Sequence, residues 1–231
     1  VPKEGELSLA NNEYSSFVSV ESGGLNVLFL HGATGAWERR YLDRSIRSSP
    51  DIKVDYDNAS ASGRGEAGGF DDALFQPGRY NAYIFGDLPA NDLTAAQQRM
   101  LKDNVLKGAG FMMLGGRQSF GPGGWGQTPL AQILPFQRLD GSDGQVEPAG
   151  GIKFVPKPAG VAGAFLQIGP SPSESDALWS RLPSITGANR FENLKNNETI
   201  FATAGDASQM PLVVGMEAGG RVLAVAGETW V

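Results

Sequence analysis

The sequence predicts an α/β domain built on a mainly parallel sheet, and three observations predict it. Short, nearly continuous apolar runs recur at Leu25–Leu30, Tyr80–Phe85 and Gly110–Leu114, as strands buried on both faces require. Segments of helical period lie between them, one over residues 36–48 and one after Thr94. A strand, helix and strand in that order call for a crossover, and crossovers of this kind join parallel strands.

Taken in order, residues 1–24 differ in pattern from the rest of the chain. Phe17-Val18-Ser19-Val20 alternates like a half-buried strand until Ser22-Gly23-Gly24 interrupts it. The segment reads either as an N-terminal arm or as the last strand of a preceding β-sandwich. After the Leu25–Leu30 strand, a Gly-containing turn over His31–Gly35 leads into the first helix. Trp37, Tyr41, Leu42 and Ile46 form its apolar stripe, with Arg39–Asp43 and Asp43–Arg47 spaced as i,i+4 ion pairs. Pro50 ends it, and Ile52–Val54 is the second strand. Residues 57–79 are polar and Gly-rich, a long loop with a helical turn near Asp71–Phe75. Beyond the third strand, Thr94 and Gln97 make a capping box for a helix. That helix buries Met100, Leu101 and Val105, and Gly108 is placed to close it in a left-handed conformation.

The fourth strand ends at Gly115-Gly116, a Gly-rich loop comes next, and Thr128-Pro129 opens a short helix. Residues 136–170 alternate weakly among Gly and Pro, as β-structure with turns would. Asp176–Leu182 reads as a helical turn or two. Thr199–Ala202, Leu212–Met216 and Arg221–Val225 are strands, the last two a hairpin across Glu217–Gly220.

The bulk composition limits the function. At 231 residues, 41% hydrophobic and 19% charged, the chain can bury one sizeable core. Its net charge of −6 repels phosphate backbones, so no nucleic-acid partner is expected. Cysteine is absent, which removes disulfides, thiolate metal sites and thiol nucleophiles together. No apolar run approaches the roughly 18–20 residues that span a bilayer. The chain begins Val1-Pro2 without an initiator Met, and is expected to be a fragment of a larger protein.

Four stretches carry a resemblance: NVLFLHGATGAWERRYLDRSI, YNAYIFGDLP, LKGAGFMMLGGRQSFGPGGWGQTPLAQILP and PLVVGMEAGGRVLAVAGETW. Together they resemble the class I glutamine amidotransferase-like domains of large membrane-anchored bacterial proteins, over residues 25–231. The N-terminal GELSLANNEYSSFVSV resembles the closing segment of an Ig-like module. The resemblance implies a flavodoxin-like, doubly wound, mainly parallel sheet with added β-hairpins in the C-terminal part. It further implies an extracytoplasmic, periplasmic setting in a membrane-anchored parent, with a cytoplasmic one as the alternative. Class I amidotransferases place a Cys on the turn after a central strand, and a His and a Glu near the end of the domain activate it. Here the Cys position falls at Gly115 or Gly116, and the His position at Gly227 or a neighbour, close to Glu228. Glutamine hydrolysis by the usual thiol route is therefore excluded.

The remaining candidates gather at the predicted carboxyl edge of the sheet, where open α/β sheets bind ligands. His31 reads as a general base or ligand contact, or as a histidine that closes the strand end. Asp87 could face it across the crevice or be a turn residue. Ser119 could complete a hydrolase with His31 and Asp87, although no G-x-S-x-G elbow holds it, or simply bond within its loop. Arg117 could take an anion beside the Gly115 and Gly116 amides, or be a solvated charge. Gly121, Gly123, Gly124 and Gly126 surround Trp125 in a lid or a packed loop, with no P-loop Lys following. Residues 55–63 and 140–144 have the flavour of calcium loops without EF-hand spacing. Glu38, Arg39 and Arg40 line either the pocket or the helix's solvent face. The leading expectation is a degenerate domain that binds a small ligand or neighbouring domains over Gly32, Asp87, Gly115, Gly116, Arg117 and Ser119, with no cofactor and no metal. The rival is a hydrolase using His31, Asp87 and Ser119 or a bound metal.

Overall fold

A computed structural model describes residues 24–32, 36–46, 49–58, 69–139, 144–162 and 165–227. The expected N-terminal arm or sandwich strand, most of the two calcium-like loops, the Glu38 side chain and Glu228 lie outside the described residues. In chain order the elements are β1 (Leu25–His31), α1 (Ala36–Ile46), β2 (Ile52–Asn58), β3 (Ala82–Phe85), α2 (Ala95–Leu106) and β4 (Gly110–Leu114). The C-terminal half adds β5 (Gln145–Val146), β6 (Phe154–Pro156), α3 (Pro158–Ala162), α4 (Pro172–Arg181), β7 (Ala188–Asn189), β8 (Glu198–Ala204), β9 (Pro211–Ala218) and β10 (Gly220–Val225).

The eight-stranded sheet runs β2-β1-β3-β4-β10-β9-β8-β6. Its first five strands pair parallel, in the flavodoxin-like order, and antiparallel β9, β8 and β6 extend it. Strand order reverses between β1 and β3, which is the switch point where such sheets open a crevice.

Pairing register decides which side chains share a face. Tyr83, Phe85, Phe111, Met113, Val222 and Ala224 lie on one face and are all buried. Phe85 meets Phe111 edge-on, with centroids 5.1 Å apart, a geometry worth about 0.5–1.5 kcal/mol beyond area burial. α2 packs here, and Asn104 Nδ2 donates to the Tyr83 hydroxyl at 3.0 Å. On the opposite face Phe29 and Tyr56 sit side by side, and the Arg39 guanidinium of α1 lies 4.8 Å above the Tyr56 ring.

α2 forms as its sequence predicts. Thr94 accepts from Gln97 N at 3.2 Å, Gln97 Oε1 accepts from Thr94 N at 3.0 Å, and Gly108 sits just past its end with φ +115°. Its buried face is more polar than the apolar periodicity implies: Gln97, Gln98 and Asn104 are buried, while Met100 is half-buried. Each amide caps carbonyls that a turn leaves open. Gln97 donates to Phe70, Gln98 to Ala90 and Leu93, and Asn104 to Phe75.

Three expectations are corrected in the C-terminal half. Residues 136–170 contain the helix α3 as well as strands; its first residue is Pro158, whose fixed φ suits a helix start as well as a turn. α4 begins earlier than Asp176. Ser171 accepts from Glu174 N at 3.3 Å and Pro172 occupies the first turn, so Ser-Pro-Ser-Glu is the helix start. The hairpin also turns more tightly than expected, with Ala218 opposite Gly220 and Gly219 at φ +80° between them.

Candidate functional site

The carboxyl ends of β1, β3, β4 and β10 bring together His31-Gly32, Gly86-Asp87, Gly115-Gly116 and Ala226-Gly227. Gly32 N donates to Asp87 O at 3.1 Å and Gly86 N to Leu30 O at 2.8 Å, so β1 and β3 remain joined beyond their strands. The structure thus places His31 and Asp87 on neighbouring strand ends, both buried. It does not couple them. Among the described residues the His31 side chain makes one hydrogen bond, which joins Nδ1 to its neighbour's carbonyl, Gly32 O, at 2.7 Å. That carbonyl can only accept, so Nδ1 carries the proton and a neutral ring keeps Nε2 as its acceptor.

Asp87 is directed into the β4 elbow. Its Oδ1 accepts from Gln118 N at 2.5 Å and lies against Gly116. A Cβ at Gly116 would collide with the Asp87 carboxylate, and one at Gly115 would collide with Ala226 O and with Asn189 Oδ1. Only glycine fits either position. Asn189 closes the elbow from the other side: its Oδ1 accepts from Gly116 N at 2.9 Å and its Nδ2 donates to Gly116 O at 3.1 Å. Asn189 N donates to Ala226 O at 2.8 Å, and Ala188 bridges Gly227. The segment carrying β7 is thereby clamped between the ends of β4 and β10.

This wiring changes the reading of two candidates. The Gly116 amide, considered as an anion donor beside Arg117, is already spent on Asn189. Arg117 instead extends to Glu147, 3.2 Å away, with both side chains largely solvated, and such a pair contributes less than about 1 kcal/mol. Ser119 is fully buried, and its hydroxyl has no hydrogen-bond partner among the described residues. The Ser–His–Asp relay is accordingly not assembled, since neither a Ser119–His31 nor a His31–Asp87 hydrogen bond is made. Arg39 and Arg40 are exposed on α1.

The Gly-rich stretch is a packed loop and not a lid. Trp125 is fully buried at its centre, donating Nε1 to Leu88 O at 2.8 Å and packing 5.5 Å from the Phe85 ring. Phe120, at φ +52°, packs its ring edge-on against both Phe136 and Phe191. Gly123 O accepts from Ala90 N at 2.8 Å, fastening the loop to the turn after β3.

On the β9 side of the same edge, a cavity of about 590 Å³ opens between the ends of β7, β8 and β9. Ile152, Phe191 and Met210 contribute apolar lining, with Glu147, Arg190 and Asp206 as charged groups. Arg190 lies 3.7 Å from Glu192. The Asp206 carboxyl is held below the usual aspartate range by the Ser208 hydroxyl and nearby amides. Among the described residues no cluster of three or more His, Asp or Glu could hold a metal.

Sequence reasoning missed Asn189 and this cavity. Asn189 stands in a short Gly-Ala-Asn-Arg stretch, and its partner is 73 positions away. No local pattern announces such a pairing.

A protein-family model described as putative glutamine amidotransferase matches residues 88–230. Among solved structures, the cytoplasmic protein STM1381 from Salmonella typhimurium LT2 is similar over 89% of both chains, at 21% identity and a TM-score of 0.62. That likeness speaks for the fold. Looser likenesses, at TM-scores of 0.48 and 0.46, are to a ThuA-like protein from Bacteroides uniformis and an exo-β-1,4-mannosidase from an Opitutaceae bacterium. The first is 10% identical and covers 92% of this chain and 86% of its own; the second is 12% identical and covers 88% and 31%. No curated protein matches the sequence.

Proposed function

The chain belongs to the putative glutamine amidotransferase family, and from that premise we propose that it is a degenerate, non-catalytic member that binds a ligand or partner domain within a larger exported, membrane-anchored protein. The observation that carries this reading is the elbow after β4. A thiol nucleophile needs a side chain there, yet Gly115 and Gly116 are pressed against Ala226 O, Asn189 and Asp87 with no room for a Cβ. The chain also has no cysteine to place anywhere else. Polar side chains around the elbow serve packing: Asp87 holds Gln118 N, and Asn189 holds both polar groups of Gly116.

A small ligand would lie at the carboxyl edge, over Gly32, Asp87, Gly115, Gly116 and Arg117, next to the buried Ser119 hydroxyl. Arg117 joins this region to the neighbouring cavity through Glu147.

Two measurements test the reading. Purified protein incubated with L-glutamine should release no ammonia above the buffer background. Ammonia release that disappears in a His31→Ala variant would overturn the non-catalytic assignment. Binding is tested with L-glutamine and L-glutamate as probes in thermal-shift titrations, where Arg117→Ala should weaken any stabilisation observed. For the setting, the parent protein should partition with membranes, with this domain accessible to protease from outside the cytoplasm.

A further inference from the structure

One face of the central sheet is apolar and lacks a described covering layer. Register aligns Ile84 of β3, Met112 of β4, Leu223 of β10 and Gly215 of β9 in a single row across it. Their opposite-face neighbours Tyr83, Phe111, Val222 and Val214 are buried, whereas Ile84, Met112 and Leu223 remain half-exposed. Strands in the middle of a parallel sheet are ordinarily covered on both faces, and their sequence, Gly-Phe-Met-Met-Leu, is written for that. Here α1 lies over β1 and β2 at one side, and Phe165 packs edge-on against Phe201 of β8 at the other. Between them lies a groove of about 970 Å³. Gly215 lets the Phe201 ring lie close against the sheet at the groove's edge, because a Cβ there would strike it.

The charges in the groove bear on what fills it. Among the described residues its charged lining is Glu217 and Arg221, which stand directly opposite each other on β9 and β10. Both are exposed, and among the described residues they form no ion pair. A patch carrying one charge of each sign is neutral although the chain as a whole carries −6, so like patches can meet without local repulsion. A twofold axis passing close to this pair would also bring Glu217 of one copy to Arg221 of the other, and the reverse, as an isologous contact requires.

We propose that this face is the contact of a symmetric homodimer, with the Ile84-Met112-Leu223 rows of two copies packed sheet on sheet and the Glu217 and Arg221 side chains paired across the rim. This surface is separate from the carboxyl edge and does not depend on the binding reading above.

Sedimentation equilibrium of the 231-residue chain tests it. The expected mass is that of two 24.4 kDa chains, falling to one in Met112→Glu with the far-ultraviolet circular dichroism unchanged. Glu217→Arg and Arg221→Glu, at exposed positions where unfolding is not a concern, should each weaken the dimer at low salt. The double reversal should restore it. A wild-type chain that stays single at every concentration overturns the proposal and leaves the face to a partner helix or domain. A dimer that survives both Met112→Glu and the single charge reversals overturns it equally.

Discussion

At Ser119 a hydroxyl is buried without a partner among the described residues, a situation that costs about 1–3 kcal/mol when nothing relieves it. Ser119→Ala should therefore leave stability unchanged or raise it by about 1 kcal/mol, read from the urea midpoint. A clear loss would mean that the hydroxyl has work to do. Asn189 presents the opposite case. Truncation to Ala strands the buried N–H of Gly116 and leaves its C=O only the longer 3.4 Å contact from Ser119 N, and should cost about 2–3 kcal/mol in the same assay. Gly116→Ala should cost a similar amount for a different reason, overpacking against Asp87. Both effects belong to packing and hydrogen bonding, so they should appear in stability with no substrate present.

At the scale of elements, α2 organises the loops around it. Its Gln98 amide grips Ala90 O and Leu93 O at the two ends of the turn that holds Asp92. Partial burial pushes the Asp92 carboxyl above its ordinary range. With the folded-state pKa raised, the folded chain holds this proton more tightly than the unfolded chain. The stability it contributes is complete below the ordinary aspartate value of 3.8 and is lost as pH rises through the higher folded value. Asp92→Asn should consequently stabilise the protein at neutral pH, with the advantage shrinking in acid, as thermal melts across that range would show. An advantage that grew in acid would contradict the sign. Lysines serve other element ends: Lys195 Nζ donates to Gln132 O at 2.8 Å and Leu134 O at 2.6 Å, and Lys153 Nζ donates to Ser180 O and Leu182 O beside the end of α4. Burial lowers the Lys195 pKa despite those contacts.

Across the whole molecule, stability should be graded from the sheet's centre to its edges. β3, β4 and β10 are paired on both sides and back onto the aromatic core, whereas β2 and β6 are edge strands. Native-state hydrogen exchange should then be slowest at the amides of Phe85, Phe111, Met113 and Val222, and faster by orders of magnitude in β6. Uniform protection would instead mean that the antiparallel extension folds and opens together with the parallel half.

How much of the fold and site is legible in the sequence depends on the range of the interactions. Apolar runs, the Thr94–Gln97 box and the Gly115-Gly116 punctuation are local signals, and they determined the α/β class, the parallel half of the sheet, α2 and the absence of a thiol at the elbow. The start of α4 is equally local, in Ser171, Pro172 and Glu174, although the sequence reading begins the helical turn only at Asp176. The contacts that define the site span long separations: Asn189 to Gly116, Asp87 to Gln118, Trp125 to Leu88. Polar groups so far apart in sequence meet only when the sheet has closed, and no periodicity records them. The half-buried row of Ile84, Met112 and Leu223 shows the same division. Their sequence states that these strands are apolar on both sides, and the tertiary structure alone decides that one of those sides is left without a described covering layer, because cover depends on where distant helices pack.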